Sequence, residues 1–147
     1  MFFAKEDNNS FKIIFSSKEC YVNDAISLSK KYITRFDISK ADLQKIEALL
    51  RELIMNALVH GNTNIEAKSI CSSIEYCGWD LVKITVLDEG EGFNYSSVKT
   101  PFPENSGLSG NRGYGLINAL SGHLEFNDKG NRVTAYYNVV KEAVICA

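Results

Sequence analysis

The sequence predicts an α+β fold, a two-layer sandwich with a mostly antiparallel sheet and helices on one face. Three observations carry this. The β-type segments are joined by short turns into hairpins rather than by helical crossovers. Two amphipathic helical stretches follow one another with no strand between them. The chain has 147 residues, which fits a single core, since domains commonly run to about 100–200 residues. Residues 1–147 read as one domain without repeats or linkers.

In chain order, Phe11–Phe15 is rich in β-formers and forms the first strand, ending at Ser16-Ser17-Lys18-Glu19. Val22, Ala25, Ile26, Ile33 and Phe36 keep one face apolar and predict a helix over Tyr21–Phe36. Ser39 with Asp42 three residues on forms a capping box. Leu43, Ile46, Leu49, Leu50, Leu53 and Ala57 then predict a second helix over Lys40–His60, with Gly61 in the left-handed position after it.

Strands near Lys68–Tyr76 and Leu81–Leu87 form a hairpin across Cys77-Gly78-Trp79-Asp80. Asn94–Asn111 holds both prolines and little periodicity, and reads as a long lid-like loop. A short helix opens at Gly113-Tyr114-Gly115 and runs to Ser121. Leu124–Asn127 and Val133–Val140 close the domain as a hairpin across Asp128-Lys129-Gly130-Asn131.

Composition narrows the function. With 16 Lys and Arg against 18 Asp and Glu, the net charge is -2, so the basic excess that a phosphate backbone requires is missing. Nucleic acid is not the expected partner. The N-terminus has no positive segment ahead of an apolar run, and no apolar stretch nears the roughly 18 residues of a membrane span. A soluble, cytoplasmic protein with no membrane partner is expected. Cys20, Cys71, Cys77 and Cys146 form no C-x-x-C pair, which argues against zinc and thioredoxin chemistry and for free buried thiols.

Three motifs carry possible chemistry. Glu52, Asn56 and His60 are spaced four apart, about 40° around a helix axis and roughly 6 Å along it, so they form one polar stripe. A solvent-facing edge with His60 at the helix C-terminus is the plainer explanation, and periodicity alone favours it. The alternative is a general base and a hard-cation ligand on one rigid face.

Asp88-x-Gly90-x-Gly92 ends a strand. It is either an ordinary turn or a carboxylate that accepts from an exocyclic amine beside glycines that admit a flat ring. Gly110-Asn111-Arg112-Gly113-Tyr114-Gly115 is either the end of a flexible loop or a glycine loop whose N–H groups hold phosphate. Neither a P-loop nor a dinucleotide-binding Rossmann unit is present.

Taken together, these motifs resemble the GHKL ATPases and their Bergerat fold. Glu52-x-x-x-Asn56-Ala57-x-x-His60-Gly61 is similar to the N-box. Asp88-x-Gly90-x-Gly92-Phe93 is similar to the first glycine box, and Gly113-x-Gly115-Leu116 to the second. Gly130-Asn131-Arg132-Val133 resembles the short motif before the last strand. Within the family the chain most resembles the stand-alone anti-sigma factor serine/threonine kinases, through His60-Gly61, Pro103-Glu104-Asn105 and a domain that occupies the whole chain. With only His60 and His123, a complete histidine kinase is not expected.

The resemblance implies ATP and Mg²⁺ as cofactors. It implies Asn56 as the Mg²⁺ ligand, Glu52 as general base, and Asp88 as the reader of the adenine amino group. Gly90 and Gly92 would lie beneath the base, and Gly113 and Gly115 around the phosphates. His60, Phe93, Asn111, Tyr114, Leu116 and Thr134 join the nucleotide contacts. Asn111 stands where some relatives have a phosphate-contacting arginine, with Arg112 one residue on as the catalytic candidate. The implied partners are a small antagonist protein, whose serine or threonine receives the phosphate, a sigma factor, and a second copy in a homodimer with Phe11–Phe15 as an edge. Two other functions remain open: an ATP-dependent binding module with negligible catalysis, and a free-standing histidine-kinase-type catalytic domain.

Overall fold

The computed structural model describes residues 1–92 and 114–140. Strand alternation explains its sheet. In β2 (Ser10–Ser16) the odd positions Phe11, Ile13 and Phe15 are buried. The antiparallel register places them beside Ile74, Ser72 and Ile70 of β3 (Ser69–Tyr76). The same face continues through Val82, Ile84 and Val86 of β4 (Leu81–Leu87) and Tyr137, Ala135 and Val133 of β6 (Arg132–Asn138). A period of two thus builds one continuous apolar face across the sheet. With β1 (Phe2–Glu6) and β5 (His123–Phe126), the order is β1-β2-β3-β4-β6-β5, and every pairing is antiparallel.

Helices α1 (Glu19–Ile33) and α2 (Lys40–Asn56) cover that face with Val22, Ala25, Ile26 and Ile33 and with Ile46, Leu49, Leu50, Leu53 and Ile54. The short α3 (Tyr114–Leu120) adds Ile117. The expected α+β sandwich, with helices on one face, is what forms.

Several expectations need correction. Phe11–Phe15 is neither the first strand nor an edge, because β1 precedes it and pairs along its whole length. All five β1 residues are exposed and show no burial alternation; pairing with β2, the packing of Phe2 on Phe15 and Tyr21, at 6.3 and 5.5 Å between ring centroids, and the ion pair of Glu6 with Arg35 define it. α1 ends at Ile33 rather than Phe36. Residues 34–36 continue as turns, with Arg35 N–H donating to the Tyr32 carbonyl, while Phe36 stacks on Tyr76 at 4.5 Å. That burial gave Phe36 its helix-like spacing. The described cysteines Cys20, Cys71 and Cys77 are free, but Cys20 and Cys77 are exposed and Cys71 is only half-buried. The loop Asn94–Asn111 and Cys146 lie outside the described residues.

Half of the expected capping box forms: Ser39 Oγ accepts from Asp42 N–H at 3.1 Å, while the Asp42 carboxylate meets Ser39 through that same hydroxyl rather than through its backbone N–H. Asp42 has other partners as well. Its carboxylate is buried, accepts from the Tyr137 hydroxyl at 2.5 Å and from Val140 N–H at 3.1 Å, and so ties the start of α2 to the last strand. Burial and this carboxylate push the Tyr137 phenol well above its usual range.

Candidate functional site

The polar stripe is built on the last turns of α2. Glu52 and Asn56 are half-buried there, four residues apart on one helix face. The helix does not continue regularly to His60, as its spacing suggested. Ala57–Gly61 forms a π-turn, closed by Asn62 N–H donating to the Ala57 carbonyl at 2.7 Å. His60 therefore leaves the α-helical register of Glu52 and Asn56 and is exposed. Single π-turns within helices often mark functional sites, because the wider ring re-aims the residues after it.

Gly61 is not left-handed, contrary to expectation: Thr63 and Asn64, at φ 48° and 58°, reverse the chain instead. Close approach is what requires glycine at 61. A Cβ there would lie 2.8 Å from Asp88 Oδ1 and nearer still to Oδ2, overlaps real side chains do not make. The end of the N-box segment and the Asp88 carboxylate are thus in direct van der Waals contact.

The loop after β4 is held from two sides. On one side Asp88 exchanges bonds with Asn131 in the β5–β6 turn: Asp88 N–H donates to the Asn131 carbonyl and Asn131 Nδ2 to the Asp88 carbonyl, both at 2.9 Å. Asn131 is itself fixed by Asn127, whose Oδ1 accepts from the N–H groups of Gly130, Asn131 and Arg132. On the other side Glu89 N–H donates to Asn62 Oδ1 at 2.7 Å.

Within the loop, Gly90 N–H donates to Asp88 Oδ1 at 2.8 Å, orienting the carboxylate. Gly90 is buried, and a Cβ on it would lie 2.7 Å from the Gly61 carbonyl carbon. Gly92, at φ 85°, needs glycine twice over, since a Cβ would also lie 2.7 Å from the Lys129 carbonyl carbon. The result is a carboxylate whose backbone is fixed on both flanks, over a floor of glycine backbone, next to the helix turn that follows Asn56.

The remaining candidates divide. Gly115 and Leu116 lie in the first turn of α3 and are exposed, and a Cβ at Gly115 would meet no described neighbour within 4 Å. Tyr114 begins that helix. Thr134 is not brought to this edge. It lies on the sheet face away from the helices, opposite Thr85 in register, with the two hydroxyls 3.4 Å apart. Phe93, Asn111, Arg112 and Gly113 lie outside the described residues. Among the described residues no cluster of three or more His, Cys, Asp or Glu forms a metal cage. No helix of the described residues is long and apolar enough to cross a membrane.

Sequence reasoning missed Asn62, Glu89 and the bonding role of Asn131. Asn62 was legible only as a polar residue after a helix-ending glycine, a pattern that chain reversal alone explains.

A wholly antiparallel sheet, helices on one face and a pinned carboxylate–glycine loop against the end of the second helix define an α+β sandwich of the GHKL ATPase type. A family model described as a histidine kinase-like ATPase domain matches residues 15–137. The chain belongs to that family and is an ATP-binding domain of histidine-kinase-like fold. A search of curated proteins finds no match to it.

Proposed function

We propose that the protein is an ATP-dependent serine/threonine kinase that phosphorylates a small antagonist protein and sequesters a sigma factor in a partner-switching system. The observation that carries this reading is the joining of two half-sites. Asp88 and its glycine floor suit a purine base, and the adjoining α2 face offers a carboxylate and a carboxamide at Glu52 and Asn56.

The residues fit ATP. The Asp88 carboxylate is oriented by Gly90 N–H and can accept from an adenine amino group, while a Cβ at Gly61 or Gly90 would intrude on it. They also fit Mg²⁺, which takes few protein oxygens beside phosphate and water, so the Asn56 carboxamide is sufficient. When bound, the ion supplies charge neutralisation at the phosphates. Glu52 then orients and deprotonates the hydroxyl nucleophile, a role a pure binding module does not need. Gly115, which no described neighbour forces to be glycine, leaves backbone open to the phosphates. Arg112, Asn111 and Gly113 complete the proposed phosphate contacts.

Dimerisation belongs to the same proposal, with β1 rather than β2 as the strand that offers unpaired backbone at the sheet edge. Light scattering that gives a monomer at micromolar concentration, with and without ATP, overturns it.

The test of function is transfer from labelled ATP to proteins encoded beside this one. Acid-stable phosphoserine or phosphothreonine on a small partner is expected. Acid-labile phosphohistidine points to a free-standing histidine-kinase-type domain, and binding without transfer to a binding module.

A further inference from the structure

Asn62 is fully buried and uses its whole carboxamide. Nδ2 donates to Ser17 Oγ at 2.8 Å and to the Ser69 carbonyl at 2.9 Å, and Oδ1 accepts from Glu89 N–H at 2.7 Å. Ser69 N–H in turn donates to the Glu89 carboxylate. The bonds close a ring: Asn62 to Ser69, Ser69 to Glu89, Glu89 back to Asn62. Ser17, also buried and directly following β2, anchors it by donating to the Lys68 carbonyl at 2.6 Å.

Three chain segments meet in this ring. Asn62 follows the π-turn, Ser69 starts β3, and Glu89 follows Asp88. Asn62 also sits directly before Thr63 and Asn64, both left-handed, and a β-branched residue adopts that conformation only when its surroundings enforce it. Asn62 is held there although a plain chain reversal has no use for three side-chain bonds.

We propose that Asn62 is a positioning residue for base recognition: through the ring with Ser69 and Glu89 it fixes the Asp88 loop against Gly61, so that the carboxylate meets the purine already oriented. The proposal rests on the reading of Asp88 as the base-contacting group. Asn62, fully buried, presents no surface to base or phosphate. Its loss loosens the loop on one flank while Asn131 still holds the other, so discrimination at the 6-position of the purine suffers more than affinity for the triphosphate.

Calorimetry with ATP and ITP, which carries a carbonyl in place of the amino group, separates these effects. Wild-type protein is expected to prefer ATP. In Asn62→Ala the preference falls about tenfold, the worth of one well-made hydrogen bond, with ITP affinity little changed. Where Asn62→Ala does not fold, Glu89→Ala opens the same ring from an exposed position and lowers the preference too. Glu89→Gln, whose carbonyl still accepts from Ser69 N–H, restores it. A folded Asn62→Ala or Glu89→Ala variant that loses stability but keeps the wild-type ATP-to-ITP ratio overturns the proposal. Wild-type protein that binds both nucleotides equally removes Asp88 from the base contact and the proposal with it.

Discussion

The Asp88 carboxylate lies against the Cα of Gly61, closer than any side chain at residue 61 would permit. This contact joins the end of the N-box segment to the glycine loop, and it makes Gly61→Ala a direct probe of the site. The new methyl pushes on a side chain rather than on backbone, so the fold is retained while ATP affinity drops about tenfold or more. At Gly90 the obstacle is the Gly61 carbonyl. Gly90→Ala should therefore also lower stability, by about 1–3 kcal/mol in thermal or denaturant unfolding.

Asp88→Asn keeps an oxygen for Gly90 N–H and so keeps the loop, but it loses the charged acceptor for an adenine amine. Calorimetry should show weaker ATP binding in a folded variant. Unchanged affinity would take Asp88 out of the adenine role.

Glu52 and Asn56 share a helix face but are assigned different work, so their variants should part. Glu52→Ala keeps nucleotide affinity and loses phosphoryl transfer, whereas Asn56→Ala weakens Mg·ATP binding itself. Equal binding losses in both would show the stripe to be structural.

The Asp42–Tyr137 pair governs stability far from this chemistry. Asp42→Ala strands the buried Tyr137 hydroxyl and Val140 N–H and should cost about 2–4 kcal/mol. The native phenol titrates above its unfolded value of 10.0. Its contribution is therefore complete below about pH 10 and is lost as pH rises toward the native value. Urea unfolding between neutral pH and pH 11 should show a steeper alkaline decline in wild type than in Tyr137→Phe; parallel curves would refute the coupling.

Ser72 faces the core between Ile13 and Val86, and its hydroxyl has no hydrogen-bond partner among the described residues. Removing an unsatisfied buried hydroxyl is favourable, so Ser72→Ala should raise stability by about 1 kcal/mol. A loss of that size instead would mean that the hydroxyl is bonded in solution.

The sequence by itself determined the layers. Phe11, Ile13, Phe15 and the alternating positions of β3, β4 and β6 specify one buried sheet face, and the 3.6-residue spacing of α1 and α2 specifies the apolar stripes that cover it, because burial periodicity is a local property of each segment. It also placed Glu52 with Asn56, and Asp88 with Gly90, since each pair lies within one element or turn. Tertiary structure alone decided what joins those pairs. β1 exists through its pairing with β2 and its contacts with Tyr21 and Arg35. Gly61 is required by Asp88, 27 residues away, rather than by helix termination, and Asn62 and Asn131 matter because folding brings them to the two flanks of one loop. Hydrogen bonds and close approach between distant segments leave no period in the chain, so residues that look like turn formers in sequence became the fixings of the site.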